Sequence, residues 1–201
     1  MNITSVDELP LEFYMQTDVL KIAEALIGKY IYTCFDGLLV QAIITETEAY
    51  NGIIDRASHA FGGRRTARNE MMYQEGGKAY LYLCYGIHHL FNFVTSVKDD
   101  PKAVLLRAIV PVAGIDTVLQ RRRKSKMFPK IGVGPGAAAQ ALGLKTSMNG
   151  FELFKNHSFA ITKSPYDYQS LQIETHPRVG VGYAGDDAKL PYRFVWNNPK
   201  L

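Results

Sequence analysis

The sequence predicts an α+β protein built around a mostly antiparallel sheet. Three observations carry this. Strand-like runs crowd the middle of the chain, helical spacing is scattered around them, and the two do not alternate as β-α-β units would. A chain of 201 residues, 47% hydrophobic and 21% charged, can bury one substantial core. With no repeat, low-complexity tract or Pro/Ser-rich linker, residues 1–201 read as a single domain.

Each element has a local cause. "TDVLKIAEALIG" puts Val19, Ile22, Ala23 and Leu26 at helical spacing, with Thr17 as cap and Gly28 just past the end. "KYIYTC" and "LLVQAIITETEAY" flank "FDG", a hairpin signal. The polar stretch from Asn51 to Thr66 is long for a passive loop. "KAYLYLCYG" and "HHLFNFVTSV" read as two strands meeting near Gly86, and "KAVLLRAIV" as another. Helical patterns follow around Ile115–Lys124 and Ala137–Leu142.

Composition excludes several classes. "MNITSVDELP" has no basic segment followed by an apolar run, so no secretory signal is expected. The most apolar stretch, "AYLYLCYGIHHLFNFV", is too short and too polar to span a membrane. Cys34 and Cys84 belong to no C-x-x-C pair and read as reduced, partly buried thiols of a cytoplasmic protein, with neither metal nor cofactor expected.

The net charge of +4 is unevenly spread. "RRRKSKMFPK", residues 121–130, carries six Lys/Arg and no acid, and Arg64, Arg65 and Arg68 follow a double glycine. Such clusters suit a polyanion, although the first also suits the C-terminal end of a helix dipole. Both readings stay open.

Two glycine patterns differ in weight. "GVGYAG", from Gly180, matches a dinucleotide fingerprint only formally, because "THPR" precedes it, "DDAKLP" follows it and Pro191 would interrupt any helix. "GVGPGAAAQAL", from Gly132, leads from a turn into a helix whose free N–H groups could hold a phosphate.

The chemistry gathers around "IITETEAYNG", residues 43–52. If extended, it places Glu46, Glu48 and Tyr50 on one face, where carboxylates fit poorly. Two nearby acids repel when both are ionised, so one is expected to be paired and the other free to act. Arg107, alone in the apolar strand "VLLRAIV", needs such a partner. In "YLYLCYG", Tyr80, Tyr82 and Cys84 share one face and Leu81, Leu83 and Tyr85 the other, with Tyr85 at a hairpin tip where it could serve as a wedge. An acid, flat rings, a wedge and basic flanks describe an enzyme acting on a base extruded from a duplex.

"ETEAY", "GGRRTARN", "YLYLCYGIHHLFN", "VLLRA", "GPGAAAQALG" and "RVGVGYAG" stand in the order and spacing of motifs of the alkyladenine (3-methyladenine) DNA glycosylase family, from about Thr17 to near Phe194. The resemblance implies a base-excision-repair hydrolase that cuts the N-glycosidic bond of alkylated or deaminated purines in double-stranded DNA; one domain scanning DNA needs no partner, so a monomer is expected. It implies a single domain with a curved sheet and a protruding hairpin. By this likeness Glu48 activates water and Arg107 orients it, while Tyr50, His59 and Tyr82 form the base pocket. Asn92 discriminates against the guanine amino group, Tyr85 fills the gap in the duplex, and Arg64, Thr66, Gly134 and Gly136 meet phosphates. This chain has Ala137 where relatives commonly have lysine and Tyr183 where they often have histidine.

The physics fits those roles. An oxocarbenium-like transition state needs one carboxylate to activate water. A cationic alkylated purine is held by electron-rich rings at about 0.5–2 kcal/mol and is already a good leaving group. A neutral lesion needs an acid or a hydrogen bond, for which His59 is the candidate. No lysine stands at a matched pocket position, so imine chemistry is not expected. The alternatives are a non-catalytic nucleic-acid-binding module, which gains nothing from Glu48, and a nucleosidase, which has no use for Tyr85 or the cations.

Overall fold

The organising element is one long strand. In the computed structural model, which describes residues 8–163 and 172–197, β2 (Leu38–Tyr50) runs for 13 residues and pairs along most of its length with β5 (Lys102–Ala113). Its other edge is shared: β1 (Tyr30–Phe35) pairs with its first half and β8 (Arg193–Trp196) with Glu46–Glu48. β3 (Ala79–Cys84) and β4 (His88–Thr95) extend the sheet beyond β5, β6 (Phe159–Thr162) extends it beyond β1, and β7 (Ile173–His176) pairs with β8. Every pairing is antiparallel, and the α+β expectation is met. The first seven residues of the segment read for a secretory signal, and with them part of the 1–201 domain reading, lie outside the described residues.

The helices follow the sequence with local adjustments. After the short α1 (Leu11–Tyr14), α2 (Val19–Ala25) is capped by Asp18, whose Oδ1 accepts from the N–H groups of Leu20 and Lys21, so the cap is one residue later than Thr17. Val19, Ile22 and Ala23 are buried against the sheet as their spacing predicts. α3 (Ile115–Arg122) begins at Gly114, where an added Cβ would stand 2.1 Å from the Leu39 carbonyl oxygen, so only glycine fits. α4 (Pro135–Leu142) starts two residues earlier than its alanines suggest; Pro135 supplies a preset φ, and Gly136 falls inside the helix.

The "FDG" turn joins β1 to β2 with positive φ at both Asp36 and Gly37, as a tight hairpin requires. The main core lies where α2, α4 and the sheet meet, around Leu26, Ile43, Phe91, Phe93 and Phe159. Phe91 stands edge-on to Phe93 at 4.8 Å and 5.7 Å from Phe159, which locks β4 against β6 through side chains although the strands do not pair. Cys34 and Cys84 are free and half-buried. Among the described residues no helix is long and apolar enough to cross a membrane.

Candidate active site

The second half of β2 carries the site. The pairing of β2 with β5 shifts between Ile44 and Thr47, a bulge that re-aims the strand just before its acids. Glu46 Oε1 accepts from Arg107 Nε at 2.8 Å and from Arg193 Nη1 at 3.0 Å. The lone arginine of β5 thus has the partner that the sequence demands.

Glu48 is not left free, contrary to the expectation that one acid would be. Its side chain has no exposed surface, and Arg107 Nη1 lies 3.4 Å from Oε1. The Val179 N–H donates to Oε1 at 2.7 Å and the Tyr50 hydroxyl to Oε2 at 2.9 Å. Burial pushes the Glu48 carboxyl above its usual range, and the Glu46 charge adds to this; Arg107, the Val179 N–H and the Tyr50 hydroxyl pull it back. A carboxylate so placed is poised to take up a proton.

Tyr50, Arg107 and Val179, which surround that carboxylate, all line a cavity of about 700 Å³. Glu48 itself lies directly beneath its wall. His59, Tyr82, Tyr85 and Asn92 line the same cavity, so the residues expected to form a base pocket stand together. His59 meets Tyr82 edge-on at 4.8 Å, and its Nδ1 lies 2.9 Å from the Tyr80 hydroxyl oxygen. Burial, then the charges of Arg68 and Arg64, lower the His59 pKa, so its ring is neutral near pH 7. Asn92 is buried, and its Nδ2 donates to the Tyr80 carbonyl at 3.1 Å. The alternation predicted for β3 fails near its end. Leu81 faces the core, but Leu83 and Tyr85 line the cavity together with Tyr80, Tyr82 and Cys84.

Tyr85 sits at the tip joining β3 to β4. It is 91% exposed and has a φ of 52°, beside Gly86 at 72°. A left-handed, solvent-exposed tyrosine neither packs a core nor suits its backbone.

A second cavity of about 400 Å³ adjoins the first, sharing His59, Arg68 and Tyr183. Here the exposed Arg64 and Thr66 gather with Arg56. The three arginines named together in the sequence separate in role. Arg65 is bound to Glu70 and Asp99 and covers the Tyr73 ring, whereas Arg68 lies over Tyr82 with 5.3 Å to its centroid. Gly134 caps α4 and Gly136 lies in its first turn; Pro135 between them lines the larger cavity.

Two supports escaped the sequence reading. Arg178 is buried between the rings of Tyr50 and Tyr192, 4.9 and 5.1 Å away, and grips Asp55 through both terminal nitrogens. It also donates to the Ala49 carbonyl at 2.9 Å, tying the end of β2 to the turn that carries Val179. Asn69, also buried, bonds the carbonyls of His59 and Arg64 and accepts from Thr66, which shapes the loop around both cavities. Tyr183 closes one side of both cavities, its hydroxyl on the Ala57 carbonyl at 3.0 Å. The "GVGYAG" run leads into a kinked 3₁₀ segment, Gly182–Lys189, which leaves the dinucleotide reading without its α-helix. Among the described residues no group of acids, histidines and cysteines is arranged to hold a metal ion.

Residues 12–200 match the family model described as Methylpurine-DNA glycosylase (MPG). A Chlamydia abortus protein named "Putative 3-methyladenine DNA glycosylase" is 43% identical over 188 residues, covering 93% of this chain and 97% of its own. Proteins of the same name from Desulfitobacterium hafniense and Bacillus cereus are 39% and 35% identical, covering 91% and 94% of this chain and 92% and 95% of their own.

Proposed function

This chain belongs to the methylpurine-DNA glycosylase family, and from that premise we propose that it is a monofunctional glycosylase of double-stranded DNA that releases damaged purines after flipping them out of the helix. The observation that carries the reading is the Glu48 carboxylate, buried and held by Arg107, Tyr50 and the Val179 N–H immediately behind an aromatic-lined cavity.

On this reading a flipped purine enters between Tyr50 and Tyr82, with His59 and Asn92 meeting its edges. Arg178 occupies a face of Tyr50, so the ring is fixed before the base arrives. Water reaches Glu48 Oε1 by displacing the Val179 N–H, whose residue already lines the cavity. The water oxygen attacks the anomeric carbon, the bond to the purine nitrogen breaks with its electron pair going to the base, and Glu48 takes the water proton. Arg107 remains beside the acid and stabilises its ionised form before the reaction.

The neutral state of His59 bears on the choice of substrate. A neutral imidazole donates or accepts a hydrogen bond but is a poor proton source. Cationic alkylated purines need no proton to leave and are therefore the better substrates, ahead of neutral deaminated ones. Tyr85 fills the place of the extruded base, and Arg64, Thr66 and the start of α4 meet phosphates. Among the described residues no lysine lines either cavity, which supports hydrolysis without an imine intermediate or strand cleavage.

The test is base release from duplexes carrying defined lesions. Glu48→Gln is expected to lose about 10²–10⁴-fold or more in single-turnover rate while still binding the duplex. Undiminished release by that variant would end the assignment. A non-catalytic binding module would show no release in either protein, and a nucleosidase would release bases from free nucleosides and be indifferent to Tyr85→Ala.

A further inference from the structure

We propose that Glu46 is a positioning residue for base release: it engages Arg107 and so keeps that guanidinium from closing onto Glu48 as a two-pronged pair. The proposal rests on the reading of Glu48 as the group that activates water, and it gives a role to two residues, Glu46 and Arg193, that no step of that reading uses.

Geometry is the first argument. Arg107 lies within ion-pair distance of two carboxylates on β2 and treats them unequally. Its Nε donates to Glu46 Oε1 at 2.8 Å, whereas its Nη1 stays 3.4 Å from Glu48 Oε1. An arginine and a carboxylate left to themselves form two parallel N–H···O bonds. Such a clamp would engage both oxygens of Glu48, the atoms that the Val179 N–H and the Tyr50 hydroxyl hold. A carboxylate gripped in that way is a weaker base and leaves less room for water on Oε1.

Arg193 is the second argument. Its Nη1 donates to the same Glu46 oxygen at 3.0 Å, and its Nε to the Pro177 carbonyl at 2.9 Å. Glu46 is thus held from β5 and β8 at once and does not follow Arg107 towards Glu48. The bond to Pro177 also anchors the chain two residues before Val179, while Arg178 is fixed by Asp55 and the Ala49 carbonyl. With residues 177 and 178 pinned, the movement that frees Glu48 Oε1 for water falls on the Val179 peptide, next to Gly180 at a φ of 78°.

Charge balance is the third argument. Glu46 and Glu48 face Arg107 and Arg193, two acids against two cations. The other groups turned to Glu48 are Tyr50 on its own strand and Arg178 and Tyr183 from the segment after β7, and the Arg178 charge is met by Asp55. After burial, which does most to raise the Glu48 pKa, Arg107 lowers it and Glu46 raises it. Removing Glu46 alone leaves one acid between two cations and makes Glu48 a poorer proton acceptor. An Arg–Glu–Arg triad gains little stability over apolar residues of the same volume, so folding alone is a weak reason for it.

The experiment is single-turnover base release from a duplex carrying an alkylated purine, followed across pH for wild type, Glu46→Gln and Arg193→Gln. Among the described residues, Glu46→Gln leaves Glu48 as the one carboxylate within reach of Arg107. The acid limb of its profile should move to lower pH by on the order of one unit, with a plateau about tenfold to a hundredfold lower. Arg193→Gln removes a cation instead and leaves Arg107 more fully drawn to Glu46, so its limb should move to higher pH. A merely structural triad lowers the folded fraction, which a thermal melt of each variant reads, and moves neither limb. Should Glu46→Gln fail to fold, the direction of the Arg193→Gln limb decides. Limbs that stay in place, or that move in one direction together, overturn the proposal and leave the Glu48 assignment to its own test. No release by wild type at any pH overturns both.

Discussion

Tyr50 donates its hydroxyl proton to Glu48 Oε2 at 2.9 Å, from a position two residues along the same strand. One side chain therefore both walls the cavity and stabilises the ionised acid beneath it. Tyr50→Phe separates these roles, because the ring stays and the donor goes. Glu48 already titrates above the usual glutamate pKa of about 4.3, through burial, and losing the donor moves it further up. Base release that needs ionised Glu48 falls as pH drops through that pKa, so the acid limb of the pH–rate profile should move to higher pH in the variant. An unmoved limb would show that Glu48 is not the titrating group.

The same change has a sign for stability. A carboxyl whose folded pKa is raised contributes stability that is present at low pH and lost as pH rises through the folded pKa. Removing the Tyr50 donor strands more of the ionised acid at neutral pH, so Tyr50→Phe should lose about 1.5–3 kcal/mol there and less in acid, where Glu48 is protonated. Denaturant unfolding of both proteins across pH measures the difference.

Arg178 and Asp55 make a buried pair whose value depends on both members. Arg178→Met leaves the Asp55 carboxylate buried with only the N–H groups of Asn51 and Ala57 to hold it. The expected loss is about 3–5 kcal/mol in unfolding free energy. Arg178→Met/Asp55→Asn should lose less than the single variant, because no charge is then stranded. A double variant no better than the single would mean that Arg178 acts by bracing Tyr50 and Tyr192 and not through Asp55.

That pair marks where the sequence stops being legible. Arg107 was readable because a cation inside "VLLRAIV" is a local contradiction that only a neighbouring acid resolves, and the adjacent strand offered two. The "FDG" hairpin was readable because both of its central residues accept positive φ. Asp55 and Arg178 lie in loops 123 positions apart, with no periodicity around either, and nothing local announces that they meet. The cap of α2 was misplaced by one residue because Thr17 and Asp18 are both good caps, and only geometry chooses. Glu48 was readable as an acid in the wrong place, but its burial was not, since the Val179 N–H comes to it from 131 residues away.

His59 offers a check on the electrostatics of the pocket. After burial, the charge of Arg68 and then that of Arg64 hold its pKa down. Arg68→Gln should raise that pKa, and Arg64→Gln should raise it by less. Proton NMR of the His59 ring through a pH series reads both. A value that does not respond to Arg68→Gln would leave burial as the whole cause and remove the electrostatic reason for a neutral ring.

Tyr85 carries the clearest conflict between stability and use. At a φ of 52° it carries a backbone penalty of about 1 kcal/mol that an exposed ring cannot recover by packing. Asn-Gly is the pair that a hairpin turn with two positive φ values prefers, so Tyr85→Asn should raise the unfolding free energy by a few tenths to about 1 kcal/mol. If the tyrosine fills the space left by an extruded base, the stabler variant should be the poorer enzyme. Its single-turnover base release should fall while the pH–rate profile keeps its shape, because Glu48 and its partners are untouched. A gain in stability with no loss in release would show that the strained turn serves something other than flipping.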